Sequence, residues 1–214
     1  NAAIVKYKNG EYKFQSRERE LSLDFDNDNF MKEMSNKDYQ KLFDKIQFND
    51  YTVIFGEWCG KGIQKGMAIN QLPRMFVIFD INIDGQYQDI KDYSFIQDNE
   101  NGIYNIMQFK TFNITIDFNN PDKSIDELTR YTKEVANECP VGKYFNVSGF
   151  GEGIVWKCYN GEMIYVFKTK DEKHKVSKEK ETVTIEPEVI ESINNFINYA
   201  VTENRLKQGL DKLI

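Results

Sequence analysis

Charged residues flank the most apolar segments of the chain, at positions where strands are expected to begin or end. They comprise two carboxylates and four cations: Glu57, Glu152, Arg17, Lys157, Lys168 and Lys170. A buried strand rarely ends in a carboxylate without a reason, because burying an unpaired carboxylate costs several kcal/mol. Around one sheet, this set would suit a phosphate ester with a divalent ion, since cations offset phosphate charge and a carboxylate can hold the metal.

The sequence lacks the residues that several other kinds of functional site require. The chain has one histidine, His174, and three cysteines in no CxxC pair, which provide neither a disulfide framework nor a zinc set. A Ser-His-Asp or Cys-His hydrolase also lacks its elements. The glycines between residues 56 and 66 do not match the spacing of a phosphate-binding P-loop. Hydrolysis by a triad and P-loop phosphate binding are therefore excluded.

The overall charge argues against a protein that binds nucleic acid through electrostatic attraction over its whole surface. The net charge is -6, the pI is about 5.0 and the mean hydropathy is -0.62. Strand binding must then depend on a local patch and should weaken steeply with salt. The lysines between residues 168 and 180 are diluted by acids and are expected to be solvated. No apolar run is long enough to span a membrane, which predicts a cytoplasmic protein without a membrane partner.

Two hairpins and two central strands are expected to position these residues. Asn9-Gly10 separates the alternating segments AAIVKY and EYKFQS, and Asn160-Gly161 separates EGIVWKCY from EMIYVFKTK. Asn-Gly favours tight hairpin turns because both turn positions need positive φ. Residues 51–57 and 74–83 are rich in β-branched and aromatic side chains, which predicts central strands. The glycine-rich stretch between them is predicted to be a loop.

The remaining segments predict helices and further strands. A helix of about a dozen residues is expected from Ser35, with Asp38 completing a capping box, and a second one from Ser124 to Cys139-Pro140. Strands are expected within residues 84–118, notably FKTFNITIDF, and helices from Pro187 to the last residue. The prediction is an α+β fold with one main domain, residues 1–183, followed by the start of a helical domain, residues 184–214.

Four segments together resemble the covalent nucleotidyltransferases, and specifically ATP-dependent RNA ligases of the RNA ligase 2 type. FGEWCGKGIQK is similar to motif III, MFVIFDI to motif IIIa, EGIVWK to motif IV and FKTK to motif V. Their order and spacing also agree, and the resemblance runs from residue 1 to about residue 180. It implies a ligase adenylation domain, unrelated to ATP-grasp, in which antiparallel sheets hold ATP, and it implies Mg²⁺ and RNA ends as partners.

The resemblance also implies a role for each matching residue. Glu57 would bind a ribose hydroxyl of ATP, Phe79 would stack on the adenine, and Glu152 would be the metal ligand. The other contacts would be with phosphate, and the residues implied are Lys168, Lys170, Lys157 and Arg17. Asn1 falls at the last position of the family's KxxGxN element and would be part of the nucleotide site.

The chain departs from the family at the nucleophile. KxxGxN is absent from the sequence, and Lys6 and Lys8 lie at a hairpin turn with the wrong spacing to Gly10. We expect that the attacking lysine precedes Asn1 in a longer protein and that this chain alone does not form the lysyl-AMP intermediate. Three alternatives stay open: a DNA ligase, a capping-type nucleotidyltransferase, and a non-catalytic nucleotide- or RNA-binding module. The sequence does not indicate an oligomeric state.

Overall fold

A computed structural model describes residues 1–117, 119–160 and 163–171. Eight strands lie in this part of the chain: β1 (Ala2–Tyr7), β2 (Tyr12–Ser16), β3 (Tyr51–Cys59), β4 (Met75–Ile83), β5 (Gln86–Tyr87), β6 (Ile103–Asn105), β7 (Ile154–Asn160) and β8 (Met163–Thr169). Three α-helices accompany them: α1 (Phe30–Met34), α2 (Pro121–Asn137) and α3 (Pro140–Tyr144). Short 3-10 helices lie between them, the longest at Tyr39–Phe43.

The strands form two sheets. The larger has the order β2-β1-β3-β4-β5, in which all neighbours are antiparallel, and β6 pairs with β4 in parallel. The smaller sheet is the antiparallel β7-β8 hairpin. Both predicted hairpins and both predicted central strands are confirmed, as is the glycine-rich loop after β3. The described domain is thus mixed α/β, with mostly antiparallel strands and few helices.

One face of the larger sheet carries the main core. Alternate side chains of β1, β3 and β4 are fully buried there: Ile4, Ile54, Phe76, Ile78 and Ile81. They pack with Phe30 and Met34 of α1. Each large apolar side chain buried in this way contributes roughly 1.5–3 kcal/mol. The opposite face carries two smaller apolar clusters.

An irregularity in β4 changes which side chains point to this opposite face. Phe55 pairs with Asp80, but the next residue, Gly56, pairs with Ile78, so Phe79 is an extra residue in β4. Ile78 and Ile81 both lie on the core face with no exposed surface. Two residues instead of one separate them, and both Phe79 and Asp80 are therefore directed away from the core. Such β-bulges often re-aim side chains next to functional sites.

The helix predicted from Ser35 is wrong. Helix α1 ends at Met34, and the Ser35 hydroxyl donates to the carbonyl of Met31 rather than starting a helix. The helix begins earlier because the Asp26 carboxylate accepts the backbone N–H groups of Met31 and Lys32, which a helix start leaves unpaired. After Ser35, the chain forms the 3-10 helix Tyr39–Phe43, whose Leu42 and Phe43 are buried in the main core.

The strand predicted in FKTFNITIDF is also wrong. Residues 110–117 have no regular structure, and half-buried and exposed positions alternate along them. This alternation reflects packing of single side chains, such as Phe112 against Tyr131 of α2 with ring centroids 4.7 Å apart. Helix α2 ends at Asn137, close to the predicted end, but begins at Pro121, three residues before Ser124.

The predicted helices after Pro187 and the predicted boundary between residues 183 and 184 lie outside the described residues. Within the part that the structure does describe, no helix is long and apolar enough to cross a membrane.

Candidate functional site

Glu57 lies near the end of β3, on the face of the larger sheet opposite the core. Its carboxylate is 42% exposed and lies 3.4 Å from the backbone nitrogen of Asn1. The register places Ser16, Ala2 and Gly56 side by side, so Arg17, Asn1 and Glu57 occupy the next row across three strands. Two strand spacings amount to about 10 Å. Arg17, which directly follows β2, therefore lies about two strand spacings from Glu57 at the level of the backbone.

Phe79 and Asp80 of the bulge meet a lysine from the other sheet. Lys157 Nζ lies 2.5 Å from Asp80 Oδ2 and donates a 3.0 Å hydrogen bond to the Phe79 carbonyl. It also lies 5.2 Å from the centroid of the Phe79 ring. Burial raises the pKa of Asp80, while the hydrogen bond and charge of Lys157 lower it. This contact connects β4 of the larger sheet to β7 of the smaller one.

Lys168 shares a face of the β7-β8 hairpin with Lys157. In the antiparallel register, Val155 lies opposite Lys168 and Lys157 lies opposite Val166, and directly opposed side chains point to the same side. Val155, Val166 and Lys168 are exposed. Among the described residues, Lys168 makes no ion pair or side-chain hydrogen bond. The hairpin thus presents one paired and one unpaired lysine on the side that meets Phe79.

The other side of the hairpin packs on α2. Trp156 Nε1 donates a 2.8 Å hydrogen bond to the Thr169 hydroxyl, which is itself hydrogen-bonded at 2.6 Å to the buried Thr132 hydroxyl of α2. The Trp156 and Phe167 rings stack with centroids 6.3 Å apart. These contacts attach one side of the hairpin to α2.

Glu152 and Lys170 form an ion pair at the open end of the hairpin. The two glycines beside Glu152 have no room for a side chain. A Cβ on Gly151 would lie 2.6 Å from the Val135 carbonyl oxygen, and one on Gly153 would lie 2.2 Å from that of Thr169. Gly153 also has φ +151. The backbone therefore fixes where Glu152 leaves the chain, while its carboxylate is exposed.

The exposed Glu152 carboxylate is the group at this place that could hold a metal. Within residues 1–117, 119–160 and 163–171, no group of three or more histidine, cysteine, aspartate or glutamate side chains could hold a metal ion. Glu152 alone suits Mg²⁺, which often binds proteins through one or two carboxylates and takes its other ligands from water and substrate phosphates.

The structure brings together some of the predicted site residues and adds one that the sequence did not reveal. Phe79 and Lys157 are in contact, Glu152 and Lys170 are in contact, and Asn1 lies beside Glu57. Asp80 was missed because regular alternation along β4 would place it on the core face, opposite to Phe79. A carboxylate in the middle of the apolar segment MFVIFDI was the available signal, since such a group needs a partner.

The fold and the site define a mixed α/β domain in which a lysine of the small sheet contacts an aromatic ring and a carboxylate of the larger sheet. The model of the RNA ligase family matches residues 1–189. The chain therefore belongs to the RNA ligase family, and the predicted family is confirmed. Members of this family are enzymes that act on RNA. A comparison with curated proteins found no match.

Proposed function

We propose that this chain is the nucleotide-binding core of an ATP-dependent RNA ligase that joins 3′-hydroxyl and 5′-phosphate ends. The observation that supports it most is the contact of Lys157 with both Phe79 and Asp80. Through this contact, Lys157 meets residues on the sheet face that also carries Glu57. An aromatic ring, a carboxylate and cations on facing sheets match the three parts of ATP: base, ribose and phosphates.

In this proposal each part of the nucleotide has its own contact. Phe79, which is half-buried and directed off the core, stacks on the adenine, a contact of about 1–3 kcal/mol. The Glu57 carboxylate accepts a hydrogen bond from a ribose hydroxyl. Lys168, which is exposed and unpaired among the described residues, contacts the α-phosphate. The Asn1 backbone completes the ribose side, and Arg17 contacts phosphate of the nucleotide or of the strand.

Glu152 and Lys170 would act at the phosphates. Their ion pair leaves both groups at the open end of the hairpin. When a metal–phosphate pair binds there, the carboxylate can hold Mg²⁺ while the ammonium turns to a phosphate oxygen, so each charge exchanges one partner for another. Mg²⁺ would supply charge stabilisation at the transferred phosphorus.

The reaction would proceed by three in-line displacements. A lysine nucleophile attacks the α-phosphorus of ATP, forming a P–N bond and releasing pyrophosphate. The 5′-phosphate of RNA then displaces the lysine and takes the AMP. Finally, the 3′-hydroxyl attacks that 5′-phosphate, and AMP leaves. Positioned cations offset the charge that accumulates on phosphoryl oxygens in each step.

The third step offers a direct test because it needs no lysine nucleophile. A nicked RNA duplex carrying a 5′-adenylylated end would be mixed with the chain and Mg²⁺, and sealing would be followed on a denaturing gel. We expect sealing by the wild type and its loss in Lys168→Ala, while Lys91→Ala, which removes an exposed lysine elsewhere, seals normally.

A second assay tests the first step. A longer form that supplies KxxGxN would be incubated with α-labelled ATP, and label that stays with denatured protein would report lysyl-AMP. If this form neither retains label nor seals the adenylylated nick, the ligase proposal fails. If the chain binds ATP and RNA but does neither, the non-catalytic binding module replaces it. Equal sealing of a nicked DNA duplex would contradict the preference for RNA.

A further inference from the structure

Lys157 is held by two groups of the β4 bulge. Its ammonium has three N–H donors, and two of them are directed to Asp80 Oδ2 at 2.5 Å and to the Phe79 carbonyl at 3.0 Å. The side chains of Lys157 and Asp80 are 19% and 16% exposed. This pair is therefore shielded from solvent, unlike the exposed pair of Lys170 and Glu152 at the end of the hairpin.

We propose that Asp80 is a positioning residue that holds Lys157 on the bulge, so that Lys157 orients the Phe79 ring and the hairpin instead of contacting phosphate. This inference rests on the proposed function, in which Phe79 and Lys168 bind the nucleotide. It divides the hairpin lysines between two tasks. Lys157 aligns the two sheets, and Lys168 supplies the free charge.

The charges support this division. The Asp80 carboxylate neutralises Lys157 where the two sheets meet, so this ammonium offers little net charge to a phosphate. If Lys157 left for a phosphate, Asp80 would remain mostly buried without a partner, which is unfavourable because burial already raises its pKa. Lys168 faces no such cost because it is exposed and has no carboxylate partner in the described part of the chain.

The position of the contact explains how Lys157 would act on the base. Its Nζ binds the carbonyl of the same residue whose ring it approaches at 5.2 Å. The Phe79 backbone is the extra residue of the bulge, so it lacks the regular pairing that fixes its neighbours. A cation bound to the carbonyl and lying beside the ring restricts both. Loss of the cation should therefore disturb stacking on the adenine.

Comparing ligands with and without phosphates separates a positioning role from a phosphate contact. Dissociation constants for adenosine and for ATP would be measured on the full chain by calorimetry. For Lys157→Met and Asp80→Asn, we expect the binding of both ligands to weaken by the same factor, about fivefold or more, because both ligands stack through the adenine. For Lys168→Met, only the binding of ATP should weaken, and the binding of adenosine should stay unchanged. A change of the ATP-to-adenosine ratio in Lys157→Met would overturn the inference.

A double-mutant cycle tests whether the two residues act as a unit. The double variant Asp80→Asn with Lys157→Met should weaken adenosine binding no more than either single variant does. If the two residues acted independently, the two factors by which the single variants raise the dissociation constant would multiply. Lys157→Arg, which keeps a cation able to bind Asp80, should bind adenosine better than Lys157→Met.

A matched control separates this effect from a loss of stability. Asp98, 8% exposed and 2.8 Å from Lys41, forms another Lys–carboxylate pair, outside the facing strands. Asp98→Asn should lower the melting temperature but leave adenosine binding unchanged. If Asp98→Asn weakens adenosine binding as much as Asp80→Asn does, the effect of Asp80→Asn on binding is only structural and the inference fails. If the wild type binds neither ligand, the proposed function fails instead.

Discussion

Phe79 and Phe76 belong to the same strand but point to opposite faces, which allows a sharp prediction. Phe76 has no exposed surface and packs in the main core, whereas Phe79 is half-buried beside Lys157. We expect Phe79→Ala to weaken AMP binding by about 5- to 150-fold, because stacking on a base contributes about 1–3 kcal/mol. Its free energy of unfolding should fall by only about 1 kcal/mol, since the main internal loss is the 5.2 Å contact of the ring with Lys157.

Phe76→Leu is the matched control for this prediction. It removes part of a fully buried ring, so unfolding should become easier by about 1 to 2 kcal/mol, while AMP binding stays within about twofold of the wild type. Equilibrium dialysis with labelled AMP and urea unfolding would give both quantities for each variant. The reasoning is refuted if Phe79→Ala binds AMP like the wild type, or if it loses as much stability as a core substitution.

Three further predictions concern other parts of the described chain. The Asp84 carboxylate accepts the backbone N–H groups of residues 49–51, which lowers its pKa below that of the unfolded chain, so its stabilisation is present above about pH 4 and is lost as the pH falls further; Asp84→Asn should reduce this acid dependence in urea unfolding. Burial raises the pKa of Cys59 to about 12, so a maleimide at pH 7.5 should label it only in denaturant, as followed by peptide mass spectrometry. Gly153→Ala should lower the melting temperature and weaken ATP binding, because its Cβ would lie 2.2 Å from the Thr169 carbonyl oxygen.

The strands were predictable because their side chains obey simple local rules. Alternation and Asn-Gly turns located both hairpins, and continuous apolar runs located β3 and β4. The helix predicted from Ser35 failed because a carboxylate nine residues upstream, Asp26, binds the backbone that starts α1. In FKTFNITIDF the alternating pattern was real, but without a partner strand it produced only side-chain packing on α2. A local sequence pattern does not show with which other segment the patterned residues pair or pack.

The candidate site, too, was predictable from the sequence only in part. The chemical types of Glu57, Lys157 and Lys168 were visible in the sequence because charged residues next to apolar strands are conspicuous. The importance of Asp80 was not, since its direction depends on the extra residue in β4 and its partner lies 77 positions further along the chain. Pairing between distant residues depends on the tertiary structure, and a single sequence holds no direct record of it.

The hairpin that carries the lysines is too small to keep its position alone. Two-stranded sheets are marginally stable in water unless they pack on another element. Here Trp156, Thr169 and Thr132 hold one side of it against α2, and Lys157 holds the other to the β4 bulge. Neither attachment uses Lys168, which makes no ion pair with another residue of the described part of the chain. A rigid support with an unpaired cation is the preorganised arrangement that phosphoryl transfer requires.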